Sequence, residues 1–261
     1  KFFEIDKLDK EINRAELANV VHKKDKAQFP NYELGREKLK TLLDALTNNP
    51  TAEPGMTIPV WNGRTVSTPG NETPLLFYNG LFTVNEWRKP EYRNISNTEP
   101  NIGMFDEFLS FIFKSAEEKD VFLDWLSWCL QNEDDKPSWA IFLYSQHHGT
   151  GKSTLASIVK KLFGEQNASE QQGIKPIISR FNKPILLKKL IYAEEVKVAQ
   201  NSDDGNKLKT LISESQTMAE SKGKDIEPVD HRCCFILTTN HKPIWLEPGD
   251  RRFYIINVDH E

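Results

Sequence analysis

Hydrophobic and polar residues alternate differently in the two halves of the chain. In residues 1–100, polar stretches at 7–24 and 35–48 repeat apolar residues at helical spacing. Short apolar runs at 57–61 and 74–84 are typical of strands, and the second contains an Asn-Gly pair typical of a hairpin turn. The pattern predicts a smaller, mainly helical N-terminal region with one hairpin.

Residues 104–132 carry apolar positions at helical spacing and predict two helices, the second beginning after Ser115 as its N-cap. Residues 101–136 are therefore predicted to form a helical collar or linker. Three aromatic residues follow the same spacing in the second helix: Phe122, Trp125 and Trp128. They could stack on bases, but such a stripe more often packs into a core, and we favour core packing.

From Trp139 onward, apolar runs alternate with polar helical stretches. Unbroken apolar strands separated by helices are typical of a mostly parallel sheet that is covered on both faces. The fold class predicted for residues 137–261 is therefore α/β, with a mostly parallel sheet flanked by helices. The predicted strands lie at 139–145, 189–193, 233–239 and 253–258.

Composition narrows the class of protein. The 261 residues are 38% apolar and 28% charged, which is typical of a globular protein of one large domain or a core with a smaller attachment. No apolar run approaches the roughly 18 to 20 residues that span a bilayer, so no membrane partner is expected. The net charge of −4 shows no basic excess, so any contact with nucleic acid should be local.

The three cysteines, two of them adjacent, make a poor disulfide framework and favour a reducing compartment. The sequence begins with Lys1 and no signal-like pattern follows, so we expect a piece of a longer protein.

The segment WAIFLYSQHHGTGKSTLASIVKKLFG predicts a phosphate loop between a strand ending near Ser145 and a helix ending before Gly164. Glycines stand where side chains would obstruct inward-facing backbone N–H groups, and the helix N-terminus adds partial positive charge. Lys152 would reach the β- and γ-phosphates, and the Ser153 hydroxyl would ligate Mg²⁺. The candidate nucleotide-binding residues are Gly149, Thr150, Gly151, Lys152, Ser153 and Thr154.

One position departs from the phosphate-loop pattern, because Gln146 stands where its first glycine is expected. The alternative is an ordinary glycine turn before a helix. His147 and His148 lie in the same turn, but no partner at ligand spacing supports a metal site, so we assign them no role.

An acidic pair follows the predicted strand KLIYA, at the edge of the sheet where the phosphate loop also lies. We assign Glu194 to the Mg²⁺ side and Glu195 to activation of the attacking water, although the two roles could be exchanged. The alternative is a solvated pair of acids at a strand end.

Two further signals come later in the chain. Asn240 ends the strand CCFILTT, and its amide could hydrogen-bond the γ-phosphate and the attacking water, or simply form a turn. Arg251 or Arg252 could stabilise the charge that develops on the γ-phosphate of a neighbouring subunit. The alternative there is a surface ion pair with Asp250.

In their order, these elements resemble a superfamily 3 helicase, specifically the D5-like helicase domain of phage primase-polymerases. The resemblance covers about residues 104–258. The matching segments are YSQHHGTGKST, SRFN, LIYAEE, LKTLISESQTMAESKGKDIEPVDHR, FILTTNHKPI and GDRRFYIINV.

The resemblance implies an AAA+-like P-loop ATPase core of the ASCE class that uses ATP and Mg²⁺. It also implies a homo-oligomeric ring, often a hexamer, that moves along single-stranded DNA in the cytoplasm of a bacterial host. A primase-polymerase domain could lie upstream, and C-terminal helices could follow Glu261. Lys222 and Lys224, which flank Gly223, would contact the DNA backbone from a hairpin inside the ring, although a solvated loop is the alternative.

Two other functions fit part of the pattern. A P-loop kinase of a small substrate would share the phosphate loop, but the paired acids, the later Asn240 and the two arginines suit water as the nucleophile. A non-hydrolysing ATP-dependent assembly module would bind nucleotide only to join subunits, which the intact Lys152 and acidic pair argue against.

Overall fold

The structure is a computed structural model. It divides into two compact units, residues 1–66 with 73–85 and residues 67–72 with 86–261. It describes residues 2–4, 7–13, 15–20, 23, 60–78, 81–96, 101–200, 202–220, 225–243, 245–247 and 249–259. The helix predicted at 35–48 lies outside the described residues.

The described part of the first unit is built mainly from strands. Strands β1 (Phe2–Glu4) and β2 (Lys7–Ile12) pair antiparallel. The prediction of a helix over 7–24 is therefore wrong for residues 7–12, which form β2. Helix is present at 15–20, where the Asn13 side chain accepts hydrogen bonds from the Ala15 and Glu16 N–H groups as an N-cap does.

A three-stranded sheet completes the described part of this unit. Its strands are β3 (Val60–Val66), β4 (Leu75–Tyr78) and β5 (Leu81–Asn85), in the order β3-β5-β4. Strands β4 and β5 pair antiparallel, which confirms the hairpin predicted over 74–84. The Asn79-Gly80 turn itself lies outside the described residues.

Two helices precede the main sheet of the second unit, α1 (Gly103–Ile112) and α2 (Ala116–Gln131). The Ser115 hydroxyl accepts a hydrogen bond from the Glu118 N–H, so the predicted N-cap is confirmed; such a cap stabilises a helix by about 1 kcal/mol. Phe122 and Trp125 are fully buried, as core packing requires, whereas Trp128 remains 38% exposed.

The main sheet has five parallel strands, and all four strands predicted from apolar runs are confirmed. A fifth strand, at 168–172, was not predicted because its sequence, ASEQQ, is polar. The strands are β6 (Ala140–Tyr144), β7 (Ala168–Gln172), β8 (Leu190–Glu194), β11 (Cys234–Thr239) and β12 (Phe253–Asn257). Their order is β12-β6-β11-β8-β7, so β11 separates β6 from β8.

Helices cover both faces of this sheet. Alternate residues of a strand point to opposite faces, so one strand contributes to two apolar clusters. Ile141 of β6 packs in one apolar cluster with α1, α2 and α3 (Lys152–Phe163). Phe142 packs in a second cluster with α4 (Lys183–Leu186) and α5 (Asp203–Ser213). The predicted α/β class with a parallel sheet flanked by helices is confirmed for the second unit.

A two-stranded antiparallel hairpin lies between α5 and β11 and consists of β9 (Gln216–Ala219) and β10 (Glu227–Asp230). The candidate DNA-contacting residues Lys222 and Lys224 belong to the segment that joins these strands and lie outside the described residues. Among the helices that the structure describes, none is long and apolar enough to cross a membrane.

Candidate functional site

The β6–α3 loop (residues 145–151) begins at the carboxyl end of β6 and leads into the first turn of α3. Gly149 and Gly151 have φ angles of 78° and 87°, a region that costs other residues about 1–2 kcal/mol. A Cβ on Gly151 would also lie 3.2 Å from Ile112 Cδ1. Gln146 is not at positive φ, so the backbone there does not require the glycine that the sequence pattern expects.

Lys152, the first residue of α3, is only 9% exposed. Its Nζ donates to Thr150 Oγ1 at 3.1 Å and lies 3.4 Å from the His147 carbonyl oxygen. Burial lowers the pKa of Lys152, while the nearby carboxylates of Asp259 and Glu194 oppose that shift. A buried ammonium held at the N-terminus of a helix is suited to bind an anion that enters the loop.

Glu194 ends β8 and meets the first turn of α3. Its Oε1 accepts a hydrogen bond from Ser153 Oγ at 2.7 Å, and its Oε2 accepts one from Gln172 Nε2 at 3.0 Å. The Ser153 hydrogen bond is the main reason that the pKa of Glu194 is lowered, so the side chain is a carboxylate at neutral pH. A hydroxyl and a carboxylate oxygen at this separation are the hard oxygen ligands that Mg²⁺ prefers.

Glu195 follows directly and has a φ of 52° although it is not glycine. Residues other than Gly, Asn and Asp seldom adopt this conformation, and strained backbone of this kind clusters at functional sites. The side chain is exposed, and the next residue, Val196, is fixed by its N–H donating to the Thr238 carbonyl at 2.8 Å. The turn thus directs two successive carboxylates to different positions at the end of β8.

Asn240 follows β11, the strand between β6 and β8, and therefore lies between the loop and the acidic pair. Its Nδ2 is 3.3 Å from His148 Nδ1, and its Oδ1 is buried without a hydrogen-bond partner. A buried carbonyl oxygen without a partner costs free energy, so it points to a donor that a bound molecule or water would supply.

These residues line one cleft of ≈ 250 Å³ at the carboxyl edge of the sheet, where ligands of open α/β folds bind. The structure thereby brings together the loop, the acidic pair and Asn240, as expected from the sequence. The lining residues are His148, Gly149, Thr150, Gly151, Lys152, Ser153, Thr154, Glu194, Glu195, Thr238, Thr239 and Asn240.

The two candidate arginines lie at the opposite end of the strands, on the side where β6 and β12 begin. Arg252 precedes β12, and its carbonyl accepts a hydrogen bond from the Ala140 N–H at the start of β6. The five residues of β6 then separate it from the cleft by roughly 15 Å. Arg252 Nη1 is 3.3 Å from Asp250 Oδ1, so the ion pair with Asp250 considered above is formed, with the Asp250 side chain only 6% exposed, and Arg251 is exposed.

Sequence reasoning missed Gln172 and Asp259 and assigned no role to His147 and His148. Gln172 contacts Glu194, His148 lines the cleft, and Asp259 contacts Ser145 and His147. Asp259 lies two residues after β12, and the acidic pair likewise lies at the end of β8, so position at a strand end was the available signal. Among the described residues, no group of three or more His, Cys, Asp or Glu side chains could hold a metal ion.

Comparison with known proteins relates this fold and site first to a family. Residues 143–252 match a protein family described as "Family of unknown function (DUF5906)". The matched segment contains the β6–α3 loop, the acidic pair and Asn240. It covers less than half of the chain.

The chain is also similar to the DNA primase-polymerase of Nitratiruptor phage NrS-1, with 28% identity over 148 residues. That match covers 55% of this chain and 20% of the relative. The apo A-form structure of the NrS-1 C-terminal region superimposes with a TM-score of 0.62 at 21% identity over 75% of this chain and 47% of that one. A second apo structure of that region gives 0.63 at 22% identity with the same coverage.

The chain therefore spans a fifth of its curated relative and about half of the solved chains. At these identities the structural matches show a shared fold. The sequence match relates the chain to a phage DNA primase-polymerase, and the structural matches show that the chain shares the fold of that protein's C-terminal region.

Proposed function

We propose that the second unit is the ATP-hydrolysing motor of a ring-shaped DNA helicase or translocase of the superfamily 3 type, in a phage or viral replication protein. One observation carries the proposal: the 2.7 Å hydrogen bond from Ser153 to Glu194, which joins the end of the β6–α3 loop to the acidic strand end. A loop of this kind with a lysine, a hydroxyl and a carboxylate in contact is the arrangement that P-loop ATPases use to bind a nucleoside triphosphate.

In this proposal the backbone N–H groups of residues 149–154 and the Lys152 ammonium bind the phosphates of ATP. Ser153 Oγ and Glu194 Oε1 would hold Mg²⁺, since both are oxygen ligands that already lie side by side. Bound there, Mg²⁺ would neutralise charge on the phosphate oxygens.

Glu195 and Asn240 serve the attacking water in this proposal. Glu195 is an exposed carboxylate at the cleft and would accept the proton of the water. The unpartnered Oδ1 of Asn240 would accept a hydrogen bond from the same water, and its Nδ2 would donate to the γ-phosphate.

The position of the arginines supports catalysis between subunits. Arg251 and Arg252 are too far from the cleft of their own chain, so either could act only on the nucleotide of a neighbouring copy. A ring with head-to-tail contacts brings opposite edges of adjacent subunits together, and a hexamer is the ring we propose. Single-stranded DNA would be its substrate, and a primase-polymerase domain would lie upstream, which the similarity to a phage DNA primase-polymerase supports.

The test is phosphate release from ATP with and without single-stranded DNA. We expect DNA-stimulated, Mg²⁺-dependent hydrolysis that falls about 100-fold or more in Lys152→Ala. Lys161→Ala is the matched control, because Lys161 is an exposed lysine on the same helix. Full activity of Lys152→Ala would refute the site.

A second variant separates hydrolysis from mere binding. Glu195→Gln should bind ATP with unchanged affinity and lose turnover by about 100-fold, since the amide cannot accept a proton from water. A non-hydrolysing assembly module would show no turnover in the parent chain, and transfer of phosphate to a small acceptor would indicate a kinase.

A further inference from the structure

The end of β12 lies beside the start of the β6–α3 loop. Strands β12 and β6 are parallel neighbours, and the Val258 N–H donates to the Tyr144 carbonyl at 2.8 Å. The chain therefore leaves β12 next to Ser145, the first residue of the loop. The Asp259 N–H donates in turn to Asn257 Oδ1 at 3.1 Å, which fixes the direction of the Asp259 backbone.

Asp259 binds this loop through one carboxylate oxygen. Its Oδ1 accepts a hydrogen bond from Ser145 Oγ at 2.6 Å and another from the His147 N–H at 3.3 Å. The ring Nδ1 of His147 lies 3.0 Å from the same oxygen. The Ser145 hydrogen bond, assisted by the backbone N–H groups of Gln146 and His147, holds the pKa of Asp259 well below its usual range. The contacts are thus made by an ionised carboxylate, which strengthens each of them.

Ser145 is itself buried and extends the contact. Its Oγ accepts a hydrogen bond from the His147 N–H at 3.0 Å. The single hydroxyl proton goes to Asp259, because a carboxylate is a stronger acceptor than the His147 carbonyl at 2.8 Å. Two residues of the loop are therefore held by one side chain that lies 114 and 112 residues later in the chain, just after β12.

These contacts bear on phosphate binding through His147. The His147 carbonyl lies 3.4 Å from Lys152 Nζ, so the position of residue 147 influences where the ammonium stands. Asp259 accepts from the His147 N–H at the start of the loop, whereas the residues from 149 onward line the cleft. The backbone of Gln146 is not at positive φ, so this end of the loop is fixed by a side chain from outside it rather than by a glycine.

We propose that Asp259 is a positioning residue for phosphate binding: it ties Ser145 and His147 to the end of β12 and so holds the β6–α3 loop in the shape that receives the phosphates of a nucleoside triphosphate. The inference rests on the proposed function for its ligand, but the contact of Asp259 with Ser145 and His147 can be tested without nucleotide.

The experiment combines two measurements on Asp259→Ala. The first is amide hydrogen exchange of residues 146–150 in the nucleotide-free protein, which should accelerate about tenfold or more while exchange in β8 and β11 is unchanged. The second is the dissociation constant for a fluorescent ATP analogue, which should rise about tenfold with a smaller change in kcat. Asp259→Asn, which keeps one acceptor oxygen, should recover part of both effects. Asp124→Ala, which removes an exposed aspartate on α2, should match the parent chain.

The outcomes separate the two proposals. If exchange in residues 146–150 of Asp259→Ala is unchanged, Asp259 does not hold the loop in place, whatever ligand the protein binds. Faster exchange with unchanged nucleotide affinity overturns the positioning role. If exchange is faster in Asp259→Ala but the parent chain binds no ATP analogue, the motor and the role of Asp259 toward phosphate are refuted together, and the contact of Asp259 with the loop remains a feature of the fold alone.

Discussion

The Ser153 hydroxyl donates to Glu194 Oε1 at 2.7 Å, although the two residues are 41 positions apart. Ser153 lies in the helix that follows β6, Glu194 ends β8, and these two strands are not neighbours in the sheet. Strand β11 lies between β6 and β8, so the first turn of α3 must reach past the end of β11 to make this contact. That places Asn240, at the end of β11, between the loop and the acidic pair. One hydrogen bond thus reports on the assembly of the whole cleft.

Removal of the Ser153 hydroxyl should raise the pKa of Glu194. The folded chain lowers this pKa, mainly through that hydrogen bond, so the carboxylate contributes stability above its ordinary pKa and loses it as the pH falls through the folded value. We expect the Glu194 titration in Ser153→Ala, followed by carbon NMR in the nucleotide-free protein, to move to higher pH. Ser157→Ala, an exposed serine on the same helix, is the control. An unmoved titration would show that the hydrogen bond is not formed in solution.

Gly151→Ala should destabilise the chain more than Gly149→Ala. Both glycines have positive φ, so an alanine at either position costs about 1–2 kcal/mol of backbone strain. Only at Gly151 would the new Cβ also press on Ile112, at 3.2 Å, whereas nothing lies within 4 Å of it at Gly149. We expect an additional loss of about 1 kcal/mol for Gly151→Ala in urea unfolding. Equal losses would mean that α1 does not pack against the loop.

Two inactive variants should restore activity when mixed, if an arginine acts between subunits. Arg251→Ala combined with Arg252→Ala removes both arginines, and Lys152→Ala removes the lysine of the cleft. In a mixed head-to-tail ring, about a quarter of the sites would pair an intact Lys152 with an intact arginine from the neighbour. We expect ATPase activity of a 1:1 mixture, after subunit exchange, to exceed the mean of the separate variants. A mixture no more active than that mean argues against catalysis in trans.

Lys222→Ala with Lys224→Ala should weaken binding of single-stranded DNA and reduce its dependence on salt. Each lysine–phosphate contact contributes a slope of about −0.7 to the plot of log affinity against log salt, so loss of both should flatten it by about 1.4. Lys114→Ala with Lys161→Ala removes two exposed charges elsewhere and serves as the control. An unchanged slope would remove the hairpin from the DNA site and leave the ATPase proposal standing.

The sheet of the second unit was predictable from sequence because four of its strands are apolar on both faces. Strand β7 was not, since it lies at the edge of the sheet, where one neighbour and a partly exposed surface permit the polar sequence ASEQQ. In the first unit, the apolar residues of the polar stretch at 7–12 stand at helical spacing, yet this stretch forms a strand. Its pairing with β1 is a contact between segments, which local spacing does not encode.

The candidate site divides in the same way. Glycines before GKS, and acids or an amide at strand ends, are local patterns, and these residues meet in one cleft because parallel strands end at one edge. Asp259 also comes shortly after a strand, two residues beyond β12, yet its partners Ser145 and His147 are more than 110 residues away. Nothing near Asp259 in the sequence indicates that β12 would lie beside β6.

The sequence by itself determined the four apolar strands of the main sheet, the two helices that precede it and which residues bear phosphate-binding and acidic chemistry, because burial and backbone geometry impose those residue types locally. Only the tertiary structure decided the strand order, the opposite placement of Arg252 and the tie between Asp259 and the β6–α3 loop. Those features arise from which strands lie side by side, and that is set by packing across the whole sheet rather than by the residues of any one segment.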